Sequence, residues 1–233
     1  MYAFRSMASL IQSPLIVSVE GNIGSGKSTI LKALREQYQD IHGVPIVYVD
    51  EPVSQWEQIK SKEGKNMIEL FYANPSKYAF SFQMMAYISR FTLIKNAVQE
   101  NPNCVIITER CLLTDCAVFA SMLHEQGHLL DEEFTIYKTW FHAFQTEIPV
   151  TSIVYIRCDP TTAFSRCKKR SRLGEEIPLD YLTKCHEKHE IWIEPGQPSV
   201  LSKLVIENND AEMNDVLISI IQFISNECIQ MNV

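Results

Sequence analysis

The sequence predicts an α/β fold, a five-stranded parallel sheet with helices on both faces, and three observations carry that prediction. Apolar strand-like runs alternate with helical stretches along the chain. The stretch Leu15 to Thr29 reads Leu-Ile-Val-Ser-Val-Glu-Gly-Asn-Ile-Gly-Ser-Gly-Lys-Ser-Thr, which satisfies Gly-x4-Gly-Lys-[Ser/Thr] at Gly21, Gly26, Lys27 and Ser28 after an apolar strand and before a helical pattern. Charged residues follow directly on the strand-like runs, on the rim where open α/β sheets bind their ligands.

The strands are expected at Leu15 to Val19, Pro45 to Val49, Cys104 to Thr108, Ser152 to Ile156 and Lys203 to Ile206. Their carboxyl ends carry Glu20 and Gly21, Asp50 and Glu51, Glu109 and Arg110, and Arg157. Helices are expected at Lys27 to Asp40, Asn66 to Tyr72, Ser76 to Glu100, Leu112 to Glu125 and Glu132 to Glu147. Pro160 opens a helix as a first-turn proline should, running into the basic cluster around Arg170; Pro178 opens another toward Ile193, and Ala211 to Asn226 closes the chain. The first 13 residues hold one charge, Arg5, and read as a loose tail, too short and too weakly apolar for a secretory signal; with a single arginine they do not establish a mitochondrial presequence, and a mitochondrial location stays open beside a cytoplasmic one.

The 233 residues suit one α/β domain with a full core, and residues 1–233 are read as such. With 46% hydrophobic and 21% charged residues the composition is that of a globular chain, and no apolar run reaches the length of a membrane span. The net charge of −7 argues against a nucleic-acid partner. Seven scattered cysteines, without Cys-x-x-Cys pairs, fit reduced thiols in a cytoplasmic protein better than disulfides or zinc.

The glycine-rich loop predicts a nucleoside triphosphate site. Gly21, Gly24 and Gly26 let successive backbone N–H groups turn inward toward phosphate oxygens, and the helix beginning near Lys27 adds its positive end. Lys27 supplies charge to the β- and γ-phosphates, and Ser28 is placed to ligate Mg²⁺. The donor-site candidates are therefore Gly21, Asn22, Ile23, Gly24, Ser25, Gly26, Lys27, Ser28 and Thr29, with ATP as the expected donor.

Four further constellations follow. Glu51-Pro52 at the end of the second strand offers a carboxylate for an acceptor's proton or a metal, with Trp56 presenting a flat face, although a surface charge and a core tryptophan read equally well. Gln83, an amide inside an apolar helix, matches a nucleobase edge; Arg90 lies two turns on and either shares that face or points to solvent. Glu109 is positioned near Mg²⁺, and Arg110 either holds an acceptor oxygen or pairs with Glu51. Asp115 and Phe119 share a helix face, with a surface ion pair the plain alternative for Asp115. The run Arg166-x-Lys168-Lys169-Arg170-x-Arg172 is either a solvated helix face or the charge of a closing lid, about 166–176.

Together these residues resemble the deoxyribonucleoside kinase family. The likeness runs from about Leu15 to Trp192 and is carried by the phosphate loop, Glu51-Pro-Val-x-x-Trp56, Glu69-Leu-Phe-Tyr72-x-x-Pro75, Phe82-Gln83, Glu109-Arg110 and Tyr181-Leu-x-x-x-His186-x-x-His189-Glu190-x-Trp192. The resemblance implies a P-loop kinase fold, a homodimer, and transfer of the γ-phosphoryl of ATP, with Mg²⁺, to a deoxynucleoside 5′-hydroxyl for nucleotide salvage. It implies Glu51 as general base beside Arg110, Gln83 reading the base, Trp56, Phe82 and Phe119 packing on it, and Tyr72 with Glu175 or Glu176 on the 3′-hydroxyl. Arg166, Arg170 and Arg172 become lid arginines, and Glu109 with Ser28 the metal side. Arg90 and Asp115 fall where the deoxycytidine and deoxyguanosine kinases resemble each other in carrying Arg and Asp, which implies deoxycytidine and purine deoxynucleosides over thymidine. Two alternatives remain: a thymidylate-kinase-like nucleotide kinase, and a nucleotide-binding module without catalysis. Homodimerisation is expected from the family alone, with the helices Leu112 to Glu125 and Glu132 to Glu147 as candidate interface, although core packing explains them equally.

Overall fold

A computed structural model describes residues 14–172, 174–193 and 202–231; the tail expected over residues 1–13 lies outside them. β1 (Leu15–Glu20) is buried along its whole length and forms the middle of the sheet, with β4 (Val105–Glu109) on one side and β5 (Ser152–Arg157) on the other, both parallel to it. β3 (Val44–Val49) pairs parallel with β4, and β6 (Ser202–Glu207) parallel with β5. A two-residue strand, β2 (Asp40–Ile41), pairs antiparallel with β3, so the order is β2-β3-β4-β1-β5-β6 and the sheet has six strands where the sequence predicts five. The extra strand is a tight hairpin through His42 and Gly43, both at positive φ.

Alternate residues of β1 feed two cores. Ile16 packs with Phe71, Tyr87, Leu123 and Tyr137 on one face, while Leu15, Val17 and Val19 pack with Ile30, Leu34, Ile220 and Ile224 on the other. The period-2 alternation thus places helices on both faces. The first face is covered by α3 (Met67–Ala73), α4 (Pro75–Glu100), α7 (Asp131–Phe144) and α9 (Leu179–Ile193); the second by α1 (Lys27–Gln37) and α10 (Met213–Met231).

Local signals set the helix starts. Asn66 caps α3 through a reciprocal box with Glu69, each side chain accepting from the other's backbone N–H at 2.9 Å. Pro75 occupies the first turn of α4, and Pro160 that of α8 (Pro160–Arg170). Two features depart from the expected pattern. A short helix, α2 (Val53–Gln58), follows Pro52. The expected helix over 112–125 is not uniform: α5 (Leu112–Thr114) passes through a π-helical stretch, Asp115–Ala120, into α6 (Ser121–Glu125). Val118, Ala120, Met122 and Leu123 from this segment are buried in the core, whereas Ile136 and Trp140 of α7 remain exposed.

Register brings the strand ends level. Val19 pairs with Glu109, Val49 with Thr108 and Glu20 with Tyr155, so the segments that follow β1, β3 and β4 emerge on one rim. β1 is flanked there by strands that continue in opposite directions through the chain, which is the crevice where such sheets bind ligands.

Candidate active site

The rim opens into a cavity of about 870 Å³. Its floor is the loop joining β1 to α1. Gly21, at φ 145°, would drive a Cβ to 2.5 Å from the Ile156 carbonyl oxygen, and Gly24 would drive one to 2.4 Å from that of Ala163, so the loop tolerates no side chain at either place. Gly26 caps α1 at φ 101°. Asn22 is buried beneath the loop: its Nδ2 donates to the Leu182 carbonyl at 2.8 Å and its own carbonyl accepts from Lys27 Nζ at 2.8 Å. Lys27 thereby faces the cavity with its amine inside the fold, and burial, reinforced by the Arg110 charge, lowers its pKa to about 8. Ile23, Gly24, Gly26, Lys27, Ser28 and Thr29 line the cavity, while Gly21, Asn22 and Ser25 support it from beneath.

Across the floor stand the rim carboxylates. Ser28 Oγ donates to Glu109 Oε1 at 2.9 Å. Glu51 Oε1 lies 2.8 Å from Arg90 Nη2 and 3.3 Å from Arg110 Nε, so the pairing of Arg110 with Glu51 is the one formed. Arg90 is 2% exposed and its other terminal nitrogen pairs with Asp115, also 2% exposed, which places both inside and neither on a surface helix face. Burial alone would raise the Glu51 pKa, but Arg110, Arg90 and Lys27 together hold it below the ordinary carboxylate range. Glu109 is pushed up by burial and by the Glu51 charge. Asp115 is raised by burial to about 6 in spite of Arg90.

Backbone strain aims one of these groups. Arg110 adopts φ 65°, in the left-handed region that costs a residue with a Cβ about 1 kcal/mol or more. Its N–H donates to Val19 O at 3.1 Å and its carbonyl accepts from Thr108 Oγ1 at 3.0 Å, which hold the turn. The guanidinium consequently lies 4.8 Å over the Phe119 ring and beside Glu51.

The inner end of the cavity is aromatic. Trp56 and Phe82 meet edge to face at 5.7 Å, Phe82 stacks on Phe71 at 4.5 Å, and Trp56 Nε1 donates to Ser89 Oγ at 2.8 Å, which fixes the indole. Gln83 is 3% exposed and lines the cavity; its Nε2 reaches the Asp115 carbonyl only at 3.4 Å, a weak bond that leaves the amide available. At the outer end, Glu175 accepts from Arg170 and, at 3.3 Å, from Arg172; Glu175 lines the cavity, whereas Glu176 is exposed and does not. Arg166 also lines the cavity, yet its guanidinium is taken up by the carbonyls of Asn208 at 2.8 Å, Asn209 at 2.7 Å and Ser25 at 3.4 Å.

A phosphate cradle, a buried lysine, a carboxylate flanked by two guanidiniums and an amide-lined aromatic pocket thus share one cavity. The sequence profile described as deoxynucleoside kinase matches residues 17–229. The chain belongs to the deoxynucleoside kinase family. This kinase is 33% identical over 198 residues to deoxycytidine kinase 2 of Gallus gallus, an alignment covering 76% of this chain and 73% of the relative. It is 31% identical over 229 residues to a protein described as a probable deoxycytidine kinase of fowlpox virus, covering 93% and 91%. It is also 31% identical over 196 residues to the mitochondrial deoxyguanosine kinase of Xenopus laevis, covering 76% and 72%. Its substrate is accordingly a nucleoside and its phosphoryl source a nucleotide. Among the described residues no helix is long and apolar enough to cross a membrane.

The kinase site also holds residues that site-by-site sequence reading passes over. Tyr181 lines the cavity and meets Tyr72 edge to face at 6.2 Å. Asn208, directly after β6, donates to Ser25 O at 2.7 Å and lines the cavity mouth with Lys169. The strand-end rule points to Asn208 as it does to Glu51, whereas Tyr181 is signalled only by its block, Tyr-Leu-x-x-x-His.

Proposed function

We propose that this deoxynucleoside kinase transfers the γ-phosphoryl of ATP to the 5′-hydroxyl of deoxycytidine and purine deoxynucleosides in preference to thymidine, supplying nucleotide salvage. The observation that carries the base preference is the buried Arg90–Asp115 pair beside Gln83. A guanidinium and a carboxylate held together present donors and acceptors to a cytosine or purine edge and leave little space for the 5-methyl of thymine. The relatives named deoxycytidine and deoxyguanosine kinase support the same reading.

In this mechanism the loop from Gly21 to Thr29 cradles the donor's phosphates with backbone N–H groups, and Lys27 neutralises charge on them. Arg170 and Arg172 approach from the lid, while Arg166 holds the loop through Ser25, Asn208 and Asn209. Glu51 orients the 5′-hydroxyl and takes its proton, and Arg110 keeps the carboxylate ionised and aimed. The loose transition state of phosphoryl transfer asks for positioning and charge neutralisation more than for a strong base, so a carboxylate of depressed pKa suffices. Trp56, Phe82 and Phe119 bracket the base, and Tyr72 with Glu175 meets the 3′-hydroxyl.

Mg²⁺ fits the chemistry of the donor set: Ser28 and Glu109 offer adjacent hard oxygens, Oγ and Oε1 2.9 Å apart, as suits an ion held otherwise by phosphates and water. When bound there, Mg²⁺ supplies charge neutralisation to the donor's phosphates. Two copies of the chain pair in this reading through α7, where exposed Ile136 and Trp140 lie one helical turn apart on one face; sedimentation that shows only monomer at micromolar concentration overturns the pairing.

The test is a panel of the four deoxynucleosides, with thymidine monophosphate as a fifth acceptor, under ATP and Mg²⁺. Deoxycytidine or a purine deoxynucleoside is expected to lead, with thymidine roughly 10- to 200-fold lower in kcat/KM. Thymidine as best acceptor refutes the role of Arg90 and Asp115; transfer only to the monophosphate refutes the nucleoside kinase reading.

A further inference from the structure

The outer end of the cavity converges on one carboxylate. Glu175 has a side chain only 6% exposed and accepts from both Arg170 and Arg172. It lines the same cavity as Tyr72, whose phenol is driven to higher pKa first by burial and next by the Glu175 charge. The backbone beside it is seated tightly: Gly174 is at φ 77°, and a Cβ there would stand 2.1 Å from Glu69 Cγ. Glu69 belongs to the first turn of α3, the helix that carries Tyr72 three residues on, so the lid and the sugar end of the cavity are packed on one another.

Two demands therefore meet on Glu175. Free of ligands, it neutralises the two lid cations that the donor's phosphates need. With a nucleoside present, it is the carboxylate beside Tyr72 that can accept from the 3′-hydroxyl. We infer that Glu175 couples the two substrates: the acceptor's 3′-hydroxyl draws the carboxylate off Arg170 and Arg172, and the freed guanidiniums turn to the donor's phosphates. Each group exchanges one charge-assisted bond for another, guanidinium from carboxylate to phosphate and carboxylate from guanidinium to hydroxyl. Either exchange alone leaves a charge without its partner, so the two substrates favour each other's binding. By linkage the effect is reciprocal for binding, and couplings of this kind are worth roughly 5- to 150-fold.

This inference rests on the kinase reading above, and the experiment separates the two. The KM for ATP is measured with the best deoxynucleoside of the panel and with its 2′,3′-dideoxy analogue, each saturating, in the wild type and in Glu175→Gln. The wild type is expected to show an ATP KM about tenfold higher with the dideoxy acceptor. In E175Q, whose arginines are no longer held by a charge, the ratio is expected to fall toward one. A purely structural lid residue would alter kcat or stability without making the donor's KM depend on a hydroxyl of the acceptor. Turnover of both acceptors with an ATP KM indifferent to the 3′-hydroxyl in the wild type overturns the coupling and leaves the kinase reading intact. A ratio unchanged in E175Q removes Glu175 from it, and no transfer to any nucleoside overturns both. The wild-type comparison needs no variant, so an ATP KM indifferent to the 3′-hydroxyl overturns the coupling even if E175Q fails to fold.

Discussion

Arg90 joins two carboxylates through one guanidinium: Nη2 stands 2.8 Å from Glu51 Oε1 while Nη1 pairs with Asp115. The group placed to read the base and the group placed to take the proton are therefore neighbours through a single side chain. Replacing Asp115 by Ala leaves Arg90 buried with Glu51 as its remaining partner and opens space beside Gln83. Because Arg90 Nη1 then loses its acceptor inside the fold, Asp115→Ala is expected to lose roughly 1–3 kcal/mol of stability by urea unfolding. The ratio of kcat/KM for thymidine over deoxycytidine should rise in the same variant. A ratio unchanged within error separates Asp115 from base selection.

Glu51→Gln tests the other end of that guanidinium. The amide keeps the shape and cannot take the proton, so kcat is expected to fall by roughly 10²-fold or more. ATP binding, measured by calorimetry, should change far less than kcat, since Lys27 and the backbone N–H groups of the phosphate cradle are left in place. Turnover equal to the wild type would remove Glu51 from the proton path.

Much of this arrangement is legible in the chain. The phosphate loop is read from its motif and Glu51 and Glu109 from the strand ends, while the seven-residue spacing of Gln83 and Arg90 leaves open whether Arg90 points inward; the structure brings all of them to one cavity. What escapes the sequence depends on contacts distant along it. The helix break at Asp115–Ala120 carries no Pro or Gly, and packing against α4 and α9 accompanies it. The left-handed turn at Arg110 depends on Val19 and Thr108. Arg166 counts as one more lid cation in the sequence, yet it is bound by carbonyls some forty residues later. β2 is two residues long, below any periodic signal.

The phosphate loop separates strain that can relax from strain that cannot. A Cβ at Gly21 would meet the Ile156 carbonyl oxygen at 2.5 Å, fixed in the sheet, whereas one at Gly26 would meet Asn208 Nδ2 at 2.8 Å, the movable end of a side chain. Gly21→Ala is thus expected to cost about 1–3 kcal/mol by thermal or urea unfolding, and more than Gly26→Ala. Gly26→Ala should instead weaken ATP binding, because φ 101° at the cap of α1 disfavours a side chain. The reverse order of stabilities would mean that the loop is not held against β5 as described.

Asp115 makes a signed prediction for pH. Its pKa is raised by burial to about 6, against 3.8 for the free group, with Arg90, Glu51 and Arg110 as the charges that face it. A raised carboxyl binds its proton more tightly in the folded state, so its contribution is fully present below about pH 4 and is lost as pH rises through about 6. The stability of the wild type relative to Asp115→Asn is therefore expected to decline between pH 4 and pH 6 and to level off above. Glu51, held low, acts in a different window, with stability present above its ordinary 4.5 and lost only as pH falls beneath it. A stability difference that rises from pH 4 to pH 6 would reverse the sign argued for Asp115.

Lys27 carries the same logic to the donor. Burial lowers its pKa to about 8, so near pH 8.5 much of the population holds a neutral amine in the empty cradle. Phosphate oxygens against that amine favour its charged form and should return the pKa toward its ordinary value. ATP binding at pH 8.5 is accordingly expected to take up a fraction of a proton, seen as a binding enthalpy that varies with the ionisation enthalpy of the buffer. At pH 6.5, where Lys27 is already charged, that contribution should vanish, and in Lys27→Met it should be absent at both pH values. A buffer dependence at pH 8.5 that persists in Lys27→Met would assign the proton to another group and leave Lys27 charged in the free enzyme.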